Sequence, residues 1–217
     1  HLHALLRSSL PVVFCGGEVI VAPGFDEGRV LDWINTLRPS YLTAAPGLYR
    51  AILRALAAGA GIDTPIRMLV CGSDKIDEAT IRAVEAAFHT PLRQFYVLSE
   101  TAPLIAMAAA GLPRAEGSLG HINPVWSVRA VDPDGQPLDV GVEGEIAVKG
   151  GFVNPLAGRN APAQRHTPDG YFLTGDLGTI SADGVLAITG RVDDRIHRGG
   201  EKIAPGAVES VLLAHPG

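Results

Sequence analysis

From residue 18 to residue 96, short apolar runs alternate with stretches whose apolar positions recur every three or four residues. That rhythm predicts strand–helix–strand units on a mainly parallel sheet. Glu18 to Ala22 reads as a strand, after which Asp26 is placed to cap a helix carrying Val30, Leu31, Ile34 and Leu37 on one face. Ser40 to Ala44 is the next strand. Pro46 then opens a helix with Leu48, Ile52, Leu53 and Leu56 inward, which the Gly59-Ala60-Gly61 stretch stops. Arg67 to Cys71 is a strand followed by a turn at Gly72-Ser73. Asp77 caps a helix presenting Ile81, Val84 and Phe88, and Arg93 to Tyr96 makes a further strand.

Beyond Gly117 the texture changes. Glycine and proline punctuate short alternating runs at Ser127 to Val131, Glu145 to Val148 and Val185 to Thr189, with Asp132-Pro133-Asp134-Gly135 as a turn between two of them. This spacing predicts a small antiparallel sheet or distorted barrel appended to the α/β part.

Composition narrows the chemistry. The 217 residues are 47% hydrophobic, enough for a real core, and 23 acidic against 18 basic residues give a formal charge of −5. The basic residues are scattered, which disfavours a nucleic-acid partner, so an anionic ligand must be gripped locally. The longest nearly apolar run, Ala102 to Leu112, is shorter than the roughly 20 residues a bilayer span requires. Cys15 and Cys71 are isolated from each other, which fits a reducing, cytoplasmic setting better than a disulfide framework. A helical rhythm at Val208, Val211 and Leu212 has only begun when the sequence stops, so the chain is expected to be an excerpt of a longer protein.

The sequence has no phosphate-binding P-loop, no dinucleotide fingerprint and no serine nucleophile elbow. His1 and His3 lack a third nearby ligand and read as packing or pocket residues. At Tyr96-Val97-Leu98-Ser99-Glu100-Thr101 a strand is expected to run out into a loop, where ligands bind open α/β sheets. An aromatic face there can stack on a base, a hydroxyl can meet a phosphate oxygen, and a carboxylate can hold magnesium. Asp176, after Thr174-Gly175, can accept from the two hydroxyls of a ribose, and Arg191 beside Gly190 can meet phosphate or ribose oxygens. A strand-end acid, a turn aspartate and a salt bridge are the plainer alternatives.

Taken in order, these segments resemble the adenylate-forming superfamily: acyl-CoA synthetases, aryl-acid ligases, luciferases and the adenylation domains of peptide synthetases. The matching stretches are His1 to Leu5, Cys71 to Ile76, Tyr96 to Glu100, Gly144-Glu145-Ile146 with Gly150, and Tyr171 to Gly178 followed by Gly190 to Glu209. The resemblance implies a loop along adenine at Ser73, Asp74 and Lys75, an adenine-stacking ring at Tyr96 and an α-phosphate contact at Ser99. It likewise implies a magnesium ligand at Glu100, a ribose ligand at Asp176 with Arg191 close by, and a hinge at Asp193. An acyl pocket would involve His3, Ala45, Pro46, Gly47 and the loop after Glu100, including Ala102.

By the same resemblance, residues 1–190 form the C-terminal part of a large AMP-binding domain, divided into an α/β portion (1–116) and a barrel portion (117–190). Residues 191–217 would be the hinge and the start of a small C-terminal domain. The implied reaction activates a carboxylic acid with ATP and magnesium as an acyl-adenylate and passes it to coenzyme A or a carrier protein's phosphopantetheine. Aryl-acid or amino-acid adenylation domains and a noncatalytic scaffold are the alternatives. Val97, Lys75 and Ala4 depart from the usual glycine, proline and glycine. The family's phosphate loop and its C-terminal lysine are not among these residues, so the chain alone is expected to be inactive.

Overall fold

The computed structural model describes residues 8–21, 26, 28–72, 74–108, 117–153, 166–194, 196–198, 201–203 and 208, with backbone alone at 102, 103, 196–198 and 201–203. A short helix α1 (Leu10–Phe14) precedes α2 (Val30–Leu37), β1 (Tyr41–Ala44), α3 (Pro46–Ala57), β2 (Met68–Cys71), α4 (Glu78–Phe88) and β3 (Leu92–Leu98). Then come β4 (Thr101–Met107), β5 (Ser118–Ile122), β6 (Ser127–Val131), β7 (Gly144–Lys149), β8 (Phe172–Ile180) and β9 (Val185–Arg191). A separate antiparallel pair, β10 (Ile196–Arg198) and β11 (Glu201–Ile203), follows the Asp193-Asp194 turn.

The first nine strands form one sheet in the order β1-β2-β3-β4-β5-β9-β8-β7-β6. Among the described strands, only β1-β2 and β2-β3 pair in parallel; every later pair is antiparallel. The α/β class is as the sequence predicts, but the antiparallel part is the larger and is continuous with the parallel part. The reason lies in the connections: a helix separates β1, β2 and β3, whereas β4 follows β3 after two residues, too few for a parallel crossover. Strand β3 joins the two regimes, pairing parallel to β2 on one side and antiparallel to β4 on the other.

Each regime has its own core. Helices α2, α3 and α4 lay Val30, Leu31, Ile34, Ile52, Ile81, Val84 and Phe88 against Leu69, Cys71 and Leu92 of the parallel strands. Tyr49, absent from the apolar stripe expected of α3, is wholly buried there, and its hydroxyl donates to the carbonyls of Val70 (3.0 Å) and Leu42 (3.2 Å). The second core gathers Tyr96, Ile105, Trp126, Ile146, Val148, Phe172 and Leu186 from the antiparallel region. Close strand packing is explicit at Gly120, whose φ of +95° and backbone contact with Met107 leave no room for a Cβ. No described helix is long and apolar enough to cross a membrane.

Three local expectations are corrected. Residues 18–21 form no strand: Val21 is 81% exposed, and an apolar run with no paired neighbour among the described residues has nothing there to hold it extended. Asp26 does not cap α2; its carboxylate accepts from the Gly28 amide at 3.0 Å in a local turn, and Arg29 occupies the cap position without a side-chain bond. Leu37, at the end of that helix, is exposed.

Asp77 does cap α4, accepting from the Thr80 amide (2.8 Å) and the Thr80 hydroxyl (2.7 Å), and it also takes a bond from Arg50 on α3 (3.1 Å). Burial alone would raise its pKa, but the Thr80 and Arg50 bonds outweigh it and hold the carboxyl at about 2. A carboxylate with a depressed folded pKa contributes stability above its unfolded value, and that contribution is lost as pH falls through the folded value. Because the side chain is 36% exposed, the gain is discounted for solvent screening. Asp77→Ala is therefore expected to cost about 1 kcal/mol at neutral pH in urea unfolding, with the difference shrinking from about pH 4 to about pH 2.

Candidate functional site

Parallel pairing brings three of the sequence-identified segments to one edge. Ala44 lies opposite Cys71, and Cys71 opposite Gln94, so β1 and β2 end side by side and β3 runs on past them in the same direction to Leu98. From them emerge Ala45-Pro46-Gly47, Asp74-Lys75 and, farthest out, Ser99-Glu100. This is the edge at which open α/β sheets bind ligands. Pro46 is buried as the first residue of α3, while Ala45 and Gly47 are exposed. Asp74 and Lys75 are exposed, with the Lys75 amide donating to the Asp74 carboxylate at 2.7 Å. His3, Ser73 and the side chain of Ala102 lie outside the described residues.

Ser99 and Glu100 do not begin a loop. They are the two-residue turn of a hairpin, with Leu98 paired to Thr101 across it, and the segment expected to be the loop after Glu100 is strand β4. The reason is pairing: β4 is held on both sides, by β3 and by β5. Ser99 is exposed and Glu100 half-buried at this tip.

Tyr96, Asp176 and Arg191 converge. The Tyr96 hydroxyl donates to Asp176 Oδ2 at 2.5 Å, and Arg191 Nη1 donates to Oδ1 at 3.1 Å. Asp176 and Arg191 are directly paired across β8 and β9. Tyr96 comes from β3, however, and β4, β5 and β9 intervene between β3 and β8 in the sheet order. Its side chain reaches Asp176 across those strands, so the antiparallel part of the sheet must curl strongly between β3 and β8. Ser99 and Glu100 connect to this cluster through β3, three and four residues beyond Tyr96.

Asp176 retains 6% of its surface and Tyr96 8%, whereas the Arg191 side chain is 48% exposed. A carboxylate at this depth is tolerable only with donors in place. Burial, the neighbouring Asp176 charge and the bond to that carboxylate push the Tyr96 phenol well above its ordinary range, so it stays a donor. A carboxylate offers roughly four acceptor sites, so further hydroxyl donors can share it.

The local backbone aims this carboxylate. Leu173 pairs with Ala147 and Leu177 with Glu145, so Thr174-Gly175-Asp176 bulges out opposite Ile146 alone. The Thr174 hydroxyl donates to the Ile146 carbonyl (2.7 Å) and accepts from the Asp176 amide (3.1 Å). Gly175, at φ +78°, donates its amide to Glu145 Oε1 (2.9 Å) and accepts at its carbonyl from the Val192 amide (2.8 Å). In the sequence Glu145 stands out only as part of a Gly-Glu-Ile match, with no role attached. A second group leaves no sequence signal: Arg129 stacks 3.8 Å over the Tyr171 ring and bonds both oxygens of Asp169 (2.7 and 2.8 Å), anchoring the turn that leads into β8.

No group of three or more potential metal ligands occurs among the described residues. Magnesium does not need one, since it is commonly held by one or two carboxylates and the phosphates of its nucleotide. The Glu100 carboxylate at an accessible turn fits that donor set.

The model of the AMP-binding enzyme family matches residues 1–155. The whole chain aligns with feruloyl-CoA synthase of Amycolatopsis sp at 30% identity and with indoleacetate–CoA ligase of Aromatoleum aromaticum at 32% identity, spanning 44% and 42% of those proteins. The structure of ATP-bound MatB from Rhodopseudomonas palustris superposes over the whole chain with a TM-score of 0.86 at 29% identity, over 43% of its length. The chain thus spans less than half of each of these relatives.

The Tyr96–Asp176 bond yields a direct test. Tyr96→Phe keeps the ring and removes the donor, and is expected to lower the unfolding free energy by about 2 kcal/mol, the loss of a bond to a buried charge. A phenol whose folded pKa is raised stabilises fully below its unfolded pKa of about 10 and loses that contribution as pH climbs. In urea unfolding the deficit of the variant should be constant from neutral pH to about pH 10 and shrink above it.

Proposed function

The chain belongs to the AMP-binding enzyme family, and on that basis we propose that it is the nucleotide-gripping part of an ATP-dependent acid–thiol ligase. The observation that carries this reading is the convergence of Tyr96 and Arg191 on the buried Asp176 carboxylate, in the curled antiparallel part of the sheet. Asp176 would accept from the ribose hydroxyls, its orientation fixed by the phenol and the guanidinium. The Tyr96 ring and the Asp74-Lys75 turn, which stem from adjacent strands, would flank the adenine together with Ser73.

Ser99 and Glu100, at the tip of the β3–β4 hairpin, would face the phosphates, Ser99 as a hydroxyl donor and Glu100 as the magnesium ligand. Magnesium, when bound, offsets charge on the phosphate oxygens. The acid's carboxylate then attacks the α-phosphorus of ATP, giving an acyl-adenylate and pyrophosphate. The chain's own contribution is positioning and charge complementarity. Asp193, exposed just beyond β9 and just before the separate β10–β11 pair, is the proposed hinge for the step that admits the thiol. Coenzyme A is the proposed acceptor, because the relatives at 30% and 32% identity carry it in their names. The same two names support an aryl or arylalkyl acid, which suits the small and apolar Ala45-Pro46-Gly47 corner. A cytoplasmic setting fits the free Cys15 and Cys71.

Because the chain spans less than half of its relatives, the rest of the machinery is proposed to lie in the full-length protein. The 217 residues alone should give no measurable pyrophosphate exchange with ATP and an acid panel, whereas the full-length protein should exchange. In the latter, Asp176→Ala should raise the KM for ATP about tenfold or more. A rate for the isolated chain equal to that of the full-length protein, or an Asp176→Ala variant with an unchanged KM, would refute this reading.

A further inference from the structure

We propose that Glu145 is a positioning residue for nucleotide binding, acting through the Gly175 amide to set the reach of the Asp176 carboxylate. The inference rests on the ribose reading of Asp176. Its basis is the bulge in β8. Three residues, Thr174, Gly175 and Asp176, stand opposite the single residue Ile146, so the regular ladder cannot supply an acceptor to every amide of the bulge. Thr174 closes one side by bonding the Ile146 carbonyl. Glu145 closes the other: its Oε1 accepts from the Gly175 amide at 2.9 Å, in place of a backbone carbonyl.

Gly175 is the residue that turns the chain before Asp176. Its φ of +78° is open to glycine and strained for other residues, so its orientation depends on what holds its two polar groups. The amide is held by Glu145 and the carbonyl by the Val192 amide at 2.8 Å. Releasing the amide frees the backbone just before Asp176 to rotate. A charge-assisted bond of this kind is stronger than a neutral one, and the half-buried Glu145 sits on β7, a strand paired on both sides between β6 and β8. The carboxylate therefore ties a permissive glycine to a rigid strand.

The experiment uses the full-length protein and pyrophosphate exchange with ATP, 2′-deoxy-ATP and 3′-deoxy-ATP. Discrimination against the deoxynucleotides reports whether Asp176 reaches the ribose hydroxyls, which a general loss of stability would not change. Glu145→Ala is expected to reduce that discrimination at least about threefold and to raise the KM for ATP, with kcat changed less than about twofold. Glu145→Asp, which keeps the charge but stops short of the Gly175 amide, should behave like Glu145→Ala and serves if the alanine variant does not fold. Glu145→Gln, whose amide oxygen still accepts, should keep the discrimination. Asp176→Ala separates the two levels of the argument: if it leaves discrimination intact, the ribose reading fails. If Asp176→Ala abolishes discrimination while Glu145→Ala and Glu145→Asp preserve it, or if Glu145→Gln loses it as fully as Glu145→Ala, the positioning role is overturned.

Discussion

The fold is organised around a carboxylate almost sealed from water, held between a phenol and a guanidinium. Burying the charge of Asp176 is unfavourable unless donors are already in place, and Tyr96 and Arg191 come to it from strands far apart in the chain. Arg191 arrives by simple pairing of β8 with β9. Tyr96 arrives from the other end of the antiparallel run, across three intervening strands. Satisfying one acid therefore goes with a curl of the antiparallel strands between β3 and β8, and the second hydrophobic core, with Tyr96, Ile146, Phe172 and Leu186 packed together, supplies the free energy for it.

The same arrangement explains why the candidate site sits where two kinds of pairing meet. Parallel strands β1 to β3 deliver their carboxyl ends to one edge, and β3 then changes partner, turning back at Ser99-Glu100 into an antiparallel hairpin. One strand thus carries an element of the candidate ligand edge at its tip and an element of the buried cluster in its body. The bulge in β8 adds a local correction on the facing side. It interrupts a regular ladder at Thr174-Gly175-Asp176 and re-aims a single side chain, using a permissive glycine and side-chain acceptors where ladder bonds are lost.

Much of this is legible in the chain. Apolar periodicity locates α3, α4, β1, β2, β3, β6, β7 and β9 to within a few residues, because each buries one face and its sequence records which. Asp77 as a cap is readable, since its capping bonds are to its own helix. Where reading fails, the deciding partner is distant or missing. Glu18 to Val21 has strand composition without a described neighbour to pair with, and Asp26 finds a nearer amide than the helix it was expected to cap. Tyr49 escapes because a tyrosine in a helix declares neither burial nor the two carbonyls it serves.

The residues by themselves dictate most element types, the passage from α/β units to antiparallel strands, and the presence of Tyr96, Asp176 and Arg191 as polar groups beside turns and strands. Those follow from periodicity, capping and turn chemistry, which act over a few residues. That the phenol of Tyr96 bonds the carboxylate of Asp176, that Ser99-Glu100 is a hairpin tip, and that Glu145 holds the Gly175 amide were settled by the folded chain alone. Each is set by strand register and sheet curvature, which arise from the summed packing of the whole sheet and leave no local mark in the chain.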